Sequence, residues 1–146
     1  MIRPAAALLA IVALPLVLAA PLAHAQDAAD GAQFARCGSG ERVTCVVDGD
    51  TFWYHGEKIR LLDINTPEVS RPGCASEREL GERATERLIA LLNQGAFTLE
   101  AQGREADRYG RLLRVASRNG RSLGAVLVAE GLAEEWQGRR SDWCAA

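Results

Sequence analysis

Five short β-prone segments, with an amphipathic helical stretch between the third and fourth and a shorter one after the fifth, predict an α+β fold. This layout matches a small five-stranded OB-type β-barrel. At 146 residues the chain can build one core but not two ordinary ones.

Residues 42–47 are rich in β-branched side chains and predict the first strand, and Asp48-Gly49-Asp50 predicts a tight turn. Residues 51–54 predict a second strand, His55-Gly56-Glu57 a second turn and residues 58–64 a third strand, so the barrel opens as a meander. Asn65-Thr66-Pro67 ends the third strand, since proline cannot donate to a ladder. Ser76 and Glu79 are spaced as a capping box, and Leu80, Ala84, Leu88, Leu91 and Leu92 recur at helical spacing, with Gly95 at the end. Residues 97–101 and 112–116 predict the last two strands, and Asn119-Gly120 is a hairpin signal. Leu123, Val126 and Leu127 predict a short second helix that closes at Gly131.

Residues 1–25 stand apart from this domain. Arg3 supplies a short basic start, residues 5–18 are apolar except for Pro15, and Ala23-His24-Ala25 is the small-x-small pattern that signal peptidase cuts. A retained membrane anchor is the competing reading. Pro15, Pro21 and the limited apolar length weigh against it. Cleavage after Ala25 would leave a secreted or periplasmic protein with Gln26 first and no membrane attachment. The expected segments are therefore a signal peptide over 1–25, a flexible lead-in over 26–41, a folded domain over 42–137 and a tail over 138–146. The molecule is expected to be a monomer.

Loss of the signal removes Arg3 alone from the charged set, and the net charge moves from −2 to −3. An acidic chain lacks the broad basic footprint of a polyanion binder, so any phosphate recognition must come from local arginines. Lys58 is the only lysine. Arginine is the better bidentate phosphate ligand. Four cysteines, Cys37, Cys45, Cys74 and Cys144, survive export, and an even count in an oxidising compartment predicts two disulfides. A tetrathiolate zinc site is the rival, but no Cys-x-x-Cys pair exists. Of three connectivities, the favoured one is Cys37–Cys45 as a local clip and Cys74–Cys144 as a long-range staple.

Several chemistries drop out. His55 is the sole histidine after residue 25, which excludes a histidine-rich metal site and leaves a serine triad no matching nucleophile motif. His55 itself sits at a glycine turn and reads as a solvated loop residue. No GxxxxGK[ST] loop is present. Carboxylates and arginines remain, in three clusters: Asp48-Gly49-Asp50-Thr51, then Arg60 through Asn65-Thr66-Pro67-Glu68, then Asp107-Arg108-Tyr109-Gly110-Arg111. Each alone is an ordinary turn, strand exit or surface loop. Together they meet the needs of phosphodiester hydrolysis. Oxygen ligands at Asp50, Asn65 and Thr66 suit a hard cation. Glu68 is placed to deprotonate water. Arg60 and Arg111 would meet charge building on the phosphoryl oxygens.

VVDGDTF, IRLLDINTPE and DRYGR, in this order and separated by an amphipathic helix, resemble the staphylococcal nuclease-like (thermonuclease) family over roughly residues 42–136. The resemblance implies a metal ligand at Asp50, a metal-facing backbone carbonyl at Thr66, catalytic arginines at Arg60 and Arg111 and a general base at Glu68. It implies calcium as cofactor, DNA or RNA as substrate and 3′-phosphate ends as product. Tyr109, Arg108 and Trp136 are the accompanying candidates for substrate contact.

Two departures stand out. The family pattern carries aspartate before TPE, where this chain has Asn65, an oxygen ligand without charge, so calcium affinity should be weaker. Asp63, two residues earlier and on the same face of a regular strand, is a candidate to restore the charge, and Asp48 a weaker one. The prototype also has a further C-terminal helix where this sequence shows Gly138-Arg139-Arg140-Ser141-Asp142-Trp143-Cys144, and a Cys74–Cys144 bridge would stand in for it. Trp136 and Trp143 are either core lids or stacking surfaces for a base. Arg139 and Arg140 either attract substrate or are simply solvated. A barrel that binds nucleic acid without cutting it is the alternative function, with Asn65 marking lost metal affinity.

Overall fold

The computed structural model describes residues 26–28, as backbone only, and residues 31–145. The segment expected to be an export signal lies outside the described residues. The elements in chain order are β1 (Gln26–Ala28), β2 (Cys45–Asp48), β3 (Thr51–Tyr54), β4 (Glu57–Leu61), β5 (Ile64–Asn65), α1 (Ala75–Leu92), β6 (Phe97–Glu100), β7 (Leu112–Arg118), β8 (Arg121–Ser122), α2 (Leu123–Ala129) and β9 (Glu134–Glu135). The fold is α+β, and its five principal strands are ordered β2-β3-β4-β7-β6. β2, β3 and β4 form the antiparallel meander. β4 then runs parallel to β7, a pairing that requires the long crossover through α1. This is the OB-type strand order, left open on one side. Among the described residues no ladder joins β2 to β6, and β1 extends the outer edge of β6 instead.

Alternation along the strands sets the core. Phe52, Ile59, Leu61, Phe97 and Leu99 point inward and meet Ala84, Leu88, Leu91 and Leu92 from α1. The hairpin at Asn119-Gly120 forms with positive φ at both residues (51° and 75°), and β8 pairs back on β7. His55 is exposed at its turn, as expected.

Three expectations need correction. The lead-in over 26–41 is not simply flexible. Phe34 is buried against Phe52, Tyr54 and Phe97, and the Asn93 side chain bonds both its N–H and its carbonyl at 2.8 and 2.9 Å. A single aromatic in a polar stretch has no periodicity to betray it. The Ser76–Glu79 capping box does not form either. The helix starts two residues too early for it, with Cys74 at the N-cap, where its sulfur is committed to a disulfide and makes no cap bond. Finally, the third strand is broken: β4 ends at Leu61 and β5 starts at Ile64, so Leu62 and Asp63 form a bend.

Both favoured disulfides are present, Cys37–Cys45 and Cys74–Cys144, with Cα separations of 4.9 and 6.0 Å. The second spans 70 residues. In the chain-entropy account, closing so long a loop stabilises the fold by roughly 4 kcal/mol.

Candidate active site

The β2–β3 turn, the outer face of β4 and the bend after β5 converge on one point. Ile59 and Leu61 point into the core, so Arg60 between them points out of it. Its guanidinium lies 3.1 Å from the Asp50 carboxylate, with both side chains about nine-tenths buried. A second guanidinium nitrogen donates to the carbonyls of Leu61 and Ile64. Asp50 in turn accepts from the Thr51 hydroxyl at 2.9 Å and from the Thr66 backbone N–H at 3.3 Å. The turn can come this close because residue 49 is glycine: a Cβ there would sit 2.7 Å from Ala84 and 2.9 Å from Thr66.

Asn65 and Thr66 are buried beside this pair, and among the described residues the Asn65 amide makes no hydrogen bond. Asp48 lies close enough for its carboxylate to accept from the Asp50 N–H at 3.3 Å. Burial, with the Asp50 charge adding to it, pushes the Asp48 carboxyl up to about 7. Asp48, Asp50, the Asn65 amide and the Thr66 carbonyl all offer oxygen donors, the type that suits a hard divalent cation. Asp63 does not belong to this set. The bend at 62–63 removes the regular alternation on which its candidacy rested, and its carboxylate instead accepts from the Ser122 hydroxyl and abuts Gly124. Its other oxygen is buried without a partner. The second carboxylate beside Asp50 is Asp48.

Glu68 follows on the bend, half-buried, and is held at both ends. Its backbone N–H donates to Glu77 at 3.2 Å, and its carbonyl packs on Gly81 of α1, where a Cβ would approach it to 3.2 Å. Its side chain pairs with Arg140. Glu77 also accepts from the Gly73 N–H at 2.6 Å, so one buried carboxylate in the first turn of α1 organises the whole loop from 68 to 73. The sequence reading missed Glu77. A carboxylate three residues after the N-cap was the available signal, concealed because the cap was placed at Ser76 rather than Cys74.

The third cluster closes on itself. Asp107 accepts from the backbone N–H groups of Tyr109 and Arg111 at 2.9 and 3.1 Å, and from the Arg111 Nε at 2.6 Å. Burial alone would raise the Asp107 carboxyl, but these bonds and the Arg111 charge outweigh it and hold the carboxyl below its usual value. Gly110, at φ 77°, makes the turn. Arg111 immediately precedes β7, whose Leu113 stands opposite Arg60 and whose Leu112 packs on the core. Among the described residues no hydrogen bond or ion pair joins Arg111 to Arg60 or Glu68.

The aromatic candidates divide. Trp136 is 42% exposed and its ring lies 5.7 Å from the Arg60 guanidinium, so it borders the site and is no core lid. The Trp143 indole N–H is buried without a partner. Tyr109 is 68% exposed between Arg108 and Arg111, whose guanidinium groups lie 4.8 and 5.7 Å from its ring. That combination exposes a flat aromatic face flanked by two cations.

The profile of the family described as staphylococcal nuclease homologue matches residues 58–143. The chain is 39% identical to the endonuclease YncB of Bacillus subtilis (strain 168) over 92 residues, covering 60% of this chain and 43% of that protein. It is 40% identical over 92 residues to the SPbeta prophage-derived endonuclease YokF of the same strain, covering 60% and 31%. It is 29% identical over 96 residues to the thermonuclease of Staphylococcus hyicus, covering 63% and 56%. The chain thus spans about a third to just over half of these relatives. With the DGDT turn, the Arg60–Asp50 pair and the TPE bend assembled on an OB-type sheet, and the profile matched over more than half its length, the chain belongs to the staphylococcal nuclease homologue family.

Proposed function

We propose that this chain is an exported nuclease that hydrolyses phosphodiester bonds of DNA or RNA with the help of calcium. The observation that carries the reading is the buried Arg60–Asp50 pair with the unbonded Asn65 amide and the Thr66 bend beside it. The relatives named endonuclease and thermonuclease support it.

Each residue has a distinct task. Asp50, Asp48, Asn65 and the Thr66 carbonyl would hold the cation. When bound, it polarises the phosphate and offsets charge on its oxygens. Glu68 takes the proton of the attacking water as its oxygen bonds to phosphorus, the bond from phosphorus to the 5′-oxygen breaks, and the departing oxygen takes a proton from solvent, leaving a 3′-phosphate and a 5′-hydroxyl. Arg60 has five N–H donors, of which two are given to Leu61 and Ile64, while its other terminal nitrogen pairs with Asp50. The N–H groups left over would face a phosphoryl oxygen as its charge grows, with Arg111 supplying the second guanidinium. Tyr109, Arg108 and Trp136 bind the flanking nucleotides.

The test is digestion of DNA and RNA by the oxidised protein across a calcium titration, alongside Asn65→Asp. Adding a charged ligand is expected to lower the calcium needed for half-maximal rate by roughly tenfold. An unchanged requirement would place the cation elsewhere, and full activity in excess EDTA and EGTA would remove it from the mechanism. Salt-sensitive oligonucleotide binding without products at millimolar calcium would favour a binding module instead.

Protonation gives a second expectation. Cation binding must displace the proton that Asp48 holds up to about pH 7. Calcium affinity measured by calorimetry should therefore be roughly tenfold weaker at pH 6 than at pH 8. Equal affinities would show that Asp48 is not coupled to the cation. For folding without cation, the carboxyl is raised above its unfolded value, so stability falls as pH rises from about 4 to about 7 and is level above that.

A further inference from the structure

The segment after β9 returns to the site, and the Cys74–Cys144 disulfide fixes where it does so. Cys144 is bonded to the residue that caps α1, and the Gly73 N–H beside that bridge donates to Glu77, the carboxylate that also holds the Glu68 backbone. Four residues before Cys144, Arg140 reaches the Glu68 side chain and pairs with its Oε1. Among the described residues Glu68 Oε2 has no partner.

We infer that Arg140 is a positioning residue for the general base and that the Cys74–Cys144 disulfide is what delivers it. The inference rests on the proposed role of Glu68. A glutamate has three rotatable side-chain bonds, and a base half-open to water samples many orientations unless something holds it. Anchoring one carboxylate oxygen leaves the other directed and free to accept a proton from water. The backbone of Glu68 is already fixed by Glu77 and Gly81, so Arg140 completes the restraint from the opposite end. An ion pair this exposed adds little to stability. Its tether makes the difference: the disulfide, together with the neighbouring Ser141 hydroxyl bonded to Glu134 of β9, holds the segment where Arg140 meets Glu68.

The test is kinetic and uses the full oxidised protein, with rates expressed per folded molecule below the unfolding transition. Arg140→Ala is expected to lower kcat about tenfold with KM within twofold, because a misplaced base slows chemistry without weakening binding. Arg140→Lys should recover part of the loss. Replacing both Cys74 and Cys144 by serine should lower kcat equally, and should cost nothing further in the Arg140→Ala background, since the two changes remove the same restraint. An unchanged or raised kcat in Arg140→Ala, or losses that multiply in the combined variant, would overturn the inference. A second readout needs no activity: the side-chain carboxyl 13C resonance of Glu68 should move in Arg140→Ala and move alike in the double serine variant. A resonance that stays in place in either variant would also overturn it. If those shifts occur while the wild-type protein cuts no nucleic acid, the docking of Arg140 stands and the nuclease reading falls.

Discussion

Glu68→Gln is expected to lower kcat by about 10²–10⁴-fold while leaving KM within a few-fold. Glutamine keeps the length of the side chain, and its amide oxygen can still accept from Arg140, so neither the bend after β5 nor the anchoring contact needs to move. The backbone bond to Glu77 is untouched. What disappears is the capacity to take a proton from water as its oxygen attacks phosphorus. Single-turnover rates at saturating calcium, set beside oligonucleotide affinity from a binding titration, separate the two effects. Turnover like that of the wild type would remove Glu68 as base. A parallel loss of binding would mean that the substitution had disturbed the surface that receives the substrate.

Arg60→Lys is expected to cost about 10³-fold in kcat, even though the charge is kept. One guanidinium in this structure does two things at once: it pairs with Asp50 and ties the carbonyls of Leu61 and Ile64 across the strand break, and in the proposed mechanism it must also grip the phosphate. A lysine ammonium is a single compact point and can satisfy only part of that set. Lysine keeps Asp50 from being left as a bare buried charge, the outcome that would make an alanine variant hard to interpret. Circular dichroism melting alongside the rate measurement keeps catalysis and folding apart. If the lysine variant retains more than a tenth of the activity, bidentate contact at this position is not what stabilises the transition state.

The site was legible to the extent that its residues lie in short contiguous motifs. Asp50, Arg60, Asn65, Thr66 and Glu68 sit within one turn, one strand and one strand exit, and the meander that pairs β3 with β4 sets Arg60 beside Asp50 almost inevitably. Arg111 was legible as part of a polar loop with glycine before it, but its partner Asp107 acquired a role only when the loop was seen to close on that carboxylate. Asp63 misled because a two-residue alternation was assumed across a point where the strand bends. Beyond that bend its carboxylate lies against α2, bonded to Ser122.

The sequence by itself determined the order of the principal strands and helices and the family's motif residues, because periodicity, turn chemistry and contiguous motifs are local properties that a chain carries wherever it folds, whereas three cysteine connectivities stayed open. Only the tertiary structure decided that Phe34 joins the core, that Asp48 rather than Asp63 accompanies Asp50, and that Glu77 and Arg140 hold Glu68 from two sides. Those contacts join residues from different turns, loops and chain ends. No spacing encodes them, since they depend on where the sheet bends and where a disulfide brings a distant segment back.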